Sequence, residues 1–345
     1  MADGPRVTSE TRNRPSRAGT IAVIIPAHNS GRTLGSCLEA VYRELANGDE
    51  LIVVDDASAD DSAAVAARAG ARVIRAAENL GAGRARNLGA REAGGDVLFF
   101  LDADVILQPG ALGALRKAFA GGDVDAVVGH YTEVSPAAGF FSQYQNFYTF
   151  FNHDRQEGAI NWFWTAMGAI QRDVFWEAGG FSEHFRGASA EDMQLGYELS
   201  RAGRRILLVK EIRGAHDHRH AFGSLVRNDL KKSAAWANVF FRLNRGGRYK
   251  HGFTGTSNQV AVAAAYILFA GLVAIPFFPL GGGLAAAAAA AAFVGANASF
   301  YRFIARKAGG AFLLGAIPFH YFTNLLIGVG VTRGVLTYLF GGRVH

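Results

Sequence analysis

Two aspartates separated by one residue are the first side chains in this sequence whose spacing suggests chemistry. Asp102 and Asp104 come directly after the apolar run Val97–Leu101. Residues two apart on a strand point to the same side, so these carboxylates would converge where the strand ends. Close carboxylates repel each other unless a cation relieves the repulsion, and Mg²⁺ or Mn²⁺ suits carboxylate and phosphate oxygens. The pair predicts a cation site, and a solvated turn at a strand end is the alternative.

Three histidines at alternate positions, His216, His218 and His220, offer further nitrogen ligands. A loop of solvated histidines gives the same pattern, so both interpretations stay open. His216 is the candidate additional ligand for a cation held by Asp102 and Asp104.

A second acidic pair, Asp55 and Asp56, also ends an apolar run. The nearby Ser58 or Asp60 is suited to cap the helix that follows, and this role is compatible with the aspartates facing a ligand. Gly81 and Gly83 suit a tight turn into a helix whose N-terminus favours anions. They do not make a dinucleotide fingerprint, because the third glycine of that motif is missing.

A third acidic pair, Glu191 and Asp192, opens a predicted helix that Gly203 ends. Acidic residues in a first helical turn are stabilised by the helix dipole, and that role alone explains many such pairs. A carboxylate at a loop-to-helix junction is also a natural general base. Both roles are open for this pair.

Short apolar runs spaced by helical segments would position these side chains. The runs are Ile21–Ile25, Leu51–Val54, Ala71–Ile74, Val97–Leu101, Ala126–Val128 and Ile206–Val209, with helical segments such as Thr33–Leu45 and Ser62–Ala69 between them. This alternation predicts an α/β domain with a mainly parallel sheet. In such folds, ligands bind at the carboxyl ends of the strands, where the acidic pairs lie.

An ordered set of motifs runs through residues 20–220. They are Ile24-Ile25-Pro26-Ala27-His28-Asn29, Val54-Asp55-Asp56-x-Ser58, Asn79-x-Gly81 with Arg86-Asn87, Asp102-x-Asp104, Gly179-Gly180-Phe181 and Glu191-Asp192. Together they resemble a family 2 glycosyltransferase of the GT-A fold, a Rossmann-like α/β fold that binds nucleotide-diphospho-sugars. The resemblance implies an inverting enzyme that transfers a sugar from a UDP- or GDP-linked donor in a single displacement, with Mg²⁺ or Mn²⁺ as cofactor.

The resemblance also implies a role for each matching residue. Asp56 would contact the nucleotide base, Arg86 would support the base or phosphates, Asp104 would bind the metal, and Asp192, beside Glu191, would deprotonate the acceptor hydroxyl. The nucleotide-sugar site would contain Pro26, His28, Asn29, Asp55, Asp56, Asn79, Arg86 and Asp102, and the metal site Asp102, Asp104 and His216. His28 stands where a tyrosine is common. The Q-x-x-R-W signature of processive polysaccharide synthases is absent, which favours transfer of one sugar per acceptor.

Residues 254–301 carry no formal charge over 48 positions, enough for two membrane spans, about Val260–Phe278 and Leu280–Tyr301. Pro276, Pro279 and Gly281–Gly283 are predicted to form the turn between them. A third apolar stretch, Ala311–Val331, contains Pro318, His320 and Asn324, and either spans the membrane or lies at its surface. Basic residues flank the spans, namely Arg245, Arg248, Lys250, Arg302, Arg306 and Lys307. The positive-inside rule then predicts an inner-membrane, multi-pass protein with its catalytic domain in the cytoplasm.

The net charge of +6 averages over unlike regions. Residues 20–200 carry −11, residues 201–253 carry +10, and residues 254–345 carry +5. An acidic core with basic flanks around apolar spans favours a membrane partner with anionic headgroups over nucleic acid. Cys37 is the only cysteine, which excludes an intramolecular disulfide framework.

The sequence therefore predicts four regions. These are a disordered cytoplasmic tail (1–19) without the apolar run of a signal peptide, a GT-A catalytic domain (20–221), a basic amphipathic interfacial segment (222–253) and a membrane domain (254–345). We expect a metal-dependent glycosyltransferase that acts on a lipid or glycan acceptor of the cell envelope. The alternatives are a polyprenyl-phosphate sugar synthase and a non-catalytic membrane scaffold that binds sugar nucleotides.

Overall fold

The computed structural model describes residues 19–183, 190–243 and 255–341. Within these ranges nine strands form one sheet: β1 Ile21–Ala27, β2 Glu50–Asp55, β3 Arg72–Arg75, β4 Val97–Leu101, β5 Val105–Leu107, β6 Ala126–Tyr131, β7 Gly158–Ile160, β8 Met167–Gln171 and β9 Ile206–His216. The strand order is β3-β2-β1-β4-β8-β6-β9-β5, and β7 pairs with β9. The first four strands in this order are parallel, which confirms the predicted α/β fold. Beyond β4 the sheet is mixed, because β8 is antiparallel to both of its neighbours.

All six predicted apolar runs form strands, whereas β5, β7 and β8 were not predicted. β5 and β7 have only three residues each, too few to show a hydrophobic period. β8 contains Gly168, where a Cβ atom would lie 2.4 Å from the carbonyl oxygen of Trp164. Gly168 therefore allows the backbone of residue 164 to approach β8 closely. The same glycine interrupts the apolar pattern by which strands are predicted, so β8 was missed.

Eleven helices are present in the described ranges: α1 Gly31–Tyr42, α2 Ser62–Arg68, α3 Ala82–Glu92, α4 Ala111–Ala120, α5 Phe140–Asp154, α6 Arg172–Glu177, α7 Glu191–Arg201, α8 Phe222–Leu243, α9 Thr256–Ala274, α10 Pro279–Ala296 and α11 Ala298–Leu339. Apolar residues of α1 and α4 pack on one face of the sheet. Those of α3, α6, α7 and α8 pack on the other face. The region around the sheet is thus a three-layer α/β/α domain whose central strands are buried on both sides.

The aromatic residues in and just after α5 are divided between two cores. Trp162 and Phe163, which follow α5, are buried with the apolar residues of α3 and α7. Tyr144 and Phe147 of α5 instead pack against α9, α10 and α11. Tyr144 also hydrogen-bonds His320 of α11. α5 therefore docks the C-terminal helices onto the α/β domain.

Three helices, α9, α10 and α11, are long and apolar enough to cross a membrane. α9 and α10 pack as a hairpin, in which a Cβ atom at Gly271 would lie 2.8 Å from the Ala286 nitrogen. The predicted turn was too long, because α10 begins at Pro279 and includes Gly281–Gly283. Proline is favoured in the first turn of a helix, where its missing N–H costs no hydrogen bond.

α11 is broken at Gly309, whose φ of 82° is outside the helical region. The segment after the break contacts α5 through Phe312, Phe319 and Gly315, and then runs beside α8 as far as Tyr338. The third apolar stretch therefore lies along the surface of the α/β domain over much of its length.

Some predictions fall on residues outside the described ranges. These are the tail up to residue 18, the end of the predicted interfacial segment beyond residue 243, and the basic residues Arg245, Arg248 and Lys250. The described part of the interfacial segment, α8, is a single helix of 22 residues.

Candidate active site

The acidic pairs meet at one edge of the sheet because β1, β2 and β4 are parallel neighbours that end there. Ala27 of β1 lies opposite Asp55 of β2, and the Asp56 N–H donates to the Ala27 carbonyl at 2.8 Å. Asp102 follows the last residue of β4. The parallel topology thus brings together motifs that are 20 to 50 residues apart in the chain.

Asp56 is buried, and its carboxylate accepts hydrogen bonds from the N–H groups of Leu80 (2.6 Å) and Gly81 (3.0 Å). Gly81 has a φ of 84° and precedes α3, so the turn requires a glycine. Asp56 therefore fixes the loop that leads into α3, and both of its oxygens are engaged by the backbone. Its predicted contact with a nucleotide base stays a prediction.

The other residues predicted to bind the nucleotide surround Asp56. The His28 Nδ1 donates to the Asp56 carbonyl at 2.7 Å, and the Asn79 amide lies 3.2 Å from the same nitrogen. The Asn29 side chain accepts a hydrogen bond from the Ala59 N–H at 2.8 Å, and Asn29 itself has a φ of 52°.

Two further predicted residues, Pro26 and Asp55, lie in the strands themselves. Pro26 is half-buried in β1, and the Asp55 carboxylate accepts a hydrogen bond from the Ser58 N–H at 3.2 Å. The loops after β1 and β2 thus form one hydrogen-bonded wall.

Asp60 stands next to this wall and joins two helices. Its carboxylate accepts from the N–H groups of Gly31 (2.9 Å) and Ser62 (3.0 Å), the first residues of α1 and α2. This agrees with a capping role for Asp60, whereas Ser58 accepts a hydrogen bond from the Asn29 N–H instead.

Arg86 of α3 lies at the centre of the site, with only 3% of its surface exposed. Its guanidinium binds the Asp102 carboxylate at 2.7 Å and the Glu191 carboxylate at 3.0 Å. Burial works against the charged guanidinium, but these two carboxylates raise the pKa of Arg86 above its usual value. Glu191 is equally buried, so the structure places it as an ion-pair partner of Arg86, and Asp102 as the second partner.

Arg86→Met should destabilise the protein by about 3–5 kcal/mol, because it removes the guanidinium that compensates the buried Glu191 charge. Urea unfolding of the full chain in detergent, followed by tryptophan fluorescence, would measure this loss. Arg84→Met, on the same helix but exposed, should cost less than about 0.5 kcal/mol. Equal effects of the two substitutions would contradict the central place of Arg86.

Asp104, His216 and His218 form a cluster whose possible ligand atoms all lie within 4.8 Å of one another. The cluster forms because β5 pairs with β9, which sets Val105 opposite His216. The Asp104 carboxylate lies 2.8 Å from Nδ1 of His218 and 3.6 Å from Nε2 of His216. Burial favours the protonated acid, but the hydrogen bonds and charges of the two histidines hold the pKa of Asp104 well below its usual range.

These residues fit a divalent cation. One Asp104 oxygen, Oδ1, is buried without a hydrogen-bond partner among the described residues. One carboxylate with two imidazoles, completed by phosphate oxygens, suits Mn²⁺, and it suits Mg²⁺ less well because Mg²⁺ prefers oxygen ligands. The Asp102 carboxylate, predicted as a ligand, is held by Arg86 and lies outside the cluster. All three histidines were possible nitrogen ligands, but only His216 was assigned to this cation. The structure adds His218, whose spacing of two from His216 places both on one side of an extended chain.

Arg32 of α1 holds the chain between the two histidines. Its guanidinium binds the Asp217 carboxylate at 3.1 Å and the Asp217 carbonyl at 2.7 Å, while the Asp217 N–H donates to the Asp104 carbonyl. The ring of Tyr131 stacks on His216 with centroids 4.6 Å apart, which fixes the imidazole from the other side. Arg32 is therefore a positioning residue for the cluster.

We expect Arg32→Met to weaken Mn²⁺ binding about tenfold or more, because partners that orient metal ligands typically contribute this much. Titration of the full chain with Mn²⁺, followed by electron paramagnetic resonance, would show the change. Arg43→Met removes an exposed arginine just beyond the far end of α1 and should leave Mn²⁺ affinity unaltered. An unchanged affinity in Arg32→Met would show that the cluster is held without it.

Asp192 lies in the first turn of α7, beside Glu191 and close to Arg86. Burial and the neighbouring Glu191 carboxylate raise the pKa of Asp192 to about 7. A carboxylate with such a pKa is an efficient proton acceptor at pH values near neutrality. Asp192 is thus the candidate base, and Glu191 next to it is the anchored residue.

Comparisons with known proteins show similarity to glycosyltransferases. Residues 22–179 match glycosyl transferase family 2. The chain is 28% identical over 243 residues to validoxylamine A glucosyltransferase of Streptomyces hygroscopicus subsp. limoneus, covering 59% of this chain and 54% of that protein. It is 29% identical over 129 residues to glycosyltransferase GlyG of Streptococcus pneumoniae, covering 36% and 43%. The chain thus spans about half the length of these curated relatives.

A solved structure shares the fold over nearly the whole chain. It is the mannosyltransferase PcManGT from Pyrobaculum calidifontis, in complex with GDP-Man and Mn²⁺, with a TM-score of 0.57 and 19% identity. The match covers 94% of this chain and 88% of that one. The GT-A fold is therefore confirmed, and residues 22–179 are similar to glycosyl transferase family 2.

Proposed function

We propose that this protein is an inverting glycosyltransferase that moves one sugar from a nucleotide-sugar donor to a membrane-associated acceptor of the cell envelope. The observation that carries the proposal is the double ion pair of Arg86. Its two carboxylate partners, Asp102 and Glu191, come from motifs 89 residues apart. Arg86 thus connects Asp102, on the donor side of the site, with Glu191, which is next to the candidate base Asp192.

On the donor side, the loops after β1 and β2 would hold the nucleotide, with His28, Asn29 and Asp56 in the wall described above. Asp104, His216 and His218 would hold Mn²⁺ or Mg²⁺, which supplies positive charge against the diphosphate leaving group. The Mn²⁺ and GDP-Man bound by PcManGT support this assignment. Arg86 would keep Asp102 oriented toward the donor.

On the acceptor side, Asp192 would remove the proton of the attacking hydroxyl. The hydroxyl oxygen would then attack the anomeric carbon from the face opposite the leaving diphosphate, which inverts the anomeric centre. The pKa of about 7 supports this role, because an ordinary aspartate would be a weaker base. A phosphate acceptor would be ionised already, so the raised pKa favours a hydroxyl acceptor.

The helix arrangement supports a membrane anchor with the catalytic domain on the cytoplasmic side. The α9–α10 hairpin exposes apolar side chains, above all Phe277, Phe278 and Leu280 at its turn. The end of the hairpin that follows α10 lies near the α/β domain, since Lys307 forms an ion pair with Glu133 at 2.6 Å. We propose that α9 and α10 cross the inner membrane and that α11 after Gly309 lies at its surface beside α8.

A donor screen would test the proposed activity. The purified full chain, in detergent with Mn²⁺ or Mg²⁺, would be incubated with a panel of UDP- and GDP-sugars. We expect slow release of one nucleoside diphosphate that depends on the cation. If no donor is hydrolysed and none is bound, the proposal is wrong and the scaffold alternative gains support.

A further inference from the structure

α8 presents one face to the α/β domain and another to α11. Ala235 and Val239 join the apolar cluster that contains Met193 and Leu195 of α7. On the other side, Cβ atoms at Gly330 and Gly334 of α11 would collide with α8. α8 therefore forms a wall between the candidate base on α7 and the apolar helices.

Lys232 lies on the face of α8 that is turned toward the α/β domain, one turn before Ala235 and two turns before Val239. The side chain is half-buried and makes no ion pair within 4.0 Å with any residue in the described ranges. Its ammonium is nevertheless close enough to act electrostatically on Asp192, His220 and Asp229. An unpaired, half-buried cation next to the candidate base is suited to bind an anion.

Four phenylalanines form a half-exposed apolar surface at the start of α8. This phenylalanine patch consists of Phe141, Phe222, Phe319 and Phe322, with ring centroids of neighbours 5.1 to 6.5 Å apart. Phe222 is 48% exposed, although it is a large apolar side chain. The patch adjoins the site, because the His220 N–H donates to the Ser142 hydroxyl, next to Phe141.

We propose that the acceptor is a lipid whose headgroup carries an ionised phosphate, with the phosphate held by Lys232 and the chain on the phenylalanine patch. This inference rests on the proposed function and names its acceptor class. The attacking hydroxyl of the headgroup would lie at Asp192, between the phosphate and the donor. A soluble sugar acceptor would use neither the unpaired cation nor the exposed phenylalanines.

Binding of three probes would test the acceptor class without any transfer reaction. The full chain in dodecyl maltoside micelles, which contain no phosphate, would be titrated with farnesyl phosphate, farnesol and inorganic phosphate, and binding followed by thermophoresis. We expect farnesyl phosphate to bind about tenfold more tightly than farnesol, since one charge-assisted contact contributes roughly that factor. We expect it to bind at least about tenfold more tightly than inorganic phosphate, because burial of the farnesyl chain on the patch contributes a similar free energy. Equal affinity for farnesyl phosphate and farnesol would overturn the role of Lys232. Equal affinity for farnesyl phosphate and inorganic phosphate would overturn the role of the patch.

Variants separate the two parts of the site. Lys232→Gln should remove the preference for farnesyl phosphate over farnesol, and Lys232→Arg should keep it. Arg227→Gln is the matched control, because Arg227 is exposed on the same helix about 140° away from Lys232. Phe222→Ala should weaken both farnesyl probes by the same factor and leave inorganic phosphate unchanged. A loss of preference in Arg227→Gln as large as in Lys232→Gln would point to general surface charge and contradict the proposal.

The donor screen distinguishes failure of this inference from failure of the proposed function. Nucleoside diphosphate release without a preference for farnesyl phosphate would overturn the acceptor class alone. Absence of any donor hydrolysis or donor binding would overturn the glycosyltransferase proposal, whatever the lipid titration shows.

Discussion

Asp104→Ala should lower the rate of sugar transfer about 10²–10³-fold and abolish its dependence on added Mn²⁺. Asp104 is the only carboxylate in the cluster that the described residues form, and among those residues its Oδ1 is buried without a hydrogen-bond partner. The remaining histidines, His216 and His218, would hold a divalent cation weakly and leave the diphosphate charge poorly compensated. Initial rates over a range of Mn²⁺ concentrations would measure the effect.

Mn²⁺ binding and thermal unfolding of the same variant show whether the loss is local. We expect weaker Mn²⁺ binding together with a nearly unchanged unfolding temperature. Asp123→Ala is the matched control, because Asp123 is exposed and distant in sequence from the cluster. An Asp104→Ala enzyme that keeps its activation by Mn²⁺ would place the cation elsewhere.

Asp192→Asn should lower transfer about 10²–10⁴-fold, the usual contribution of a general base, and should leave donor binding intact. In the unaltered protein, the rate should increase about tenfold per pH unit below pH 7 and level off above it. The sign follows from the pKa of about 7, since only the ionised carboxylate accepts the proton. Asp192→Asn should lose this acid limb, which a pH–rate profile would show.

The same substitution should stabilise the protein at alkaline pH. The folded pKa of Asp192 is above the model-compound value of 3.8, so the folded state binds this proton more tightly than the unfolded chain. Stability therefore falls as the pH rises between about 4 and 7, and the cost persists above that range. At pH 8 we expect Asp192→Asn to unfold at a higher urea concentration, because its free energy of unfolding should be higher by about 1–2 kcal/mol.

Asp173→Asn is the control for both measurements, because Asp173 also lies in the first turn of a helix and is exposed. It should change neither the pH profile nor the stability. If Asp192→Asn transferred sugar to a prenyl phosphate at a normal rate, the acceptor would be the phosphate itself. The polyprenyl-phosphate sugar synthase alternative would then be correct.

Local patterns in the sequence were sufficient to predict the parallel strands of the sheet. Runs such as Val97–Leu101 are apolar at every position, because β4 is buried on both faces, and they are long enough to be recognised. β9 was predicted only as Ile206–Val209, although it continues to His216. Its second half contains Lys210, Glu211 and Arg213, whose polarity hides a strand that pairing with β5 and β6 maintains.

The sequence by itself determined the types of chemistry present: paired carboxylates at strand ends, a histidine cluster, an acidic pair at a helix start, and apolar helices with basic flanks. These follow from residue type and short sequence spacing, because the local backbone geometry determines to which side each side chain points. Only the tertiary structure decided which of these side chains meet. Arg86 reaches Glu191 across 105 positions, and His218 reaches Asp104 across 114. Such contacts depend on strand order and helix packing, which are set by the whole core and leave no periodic signal in the chain.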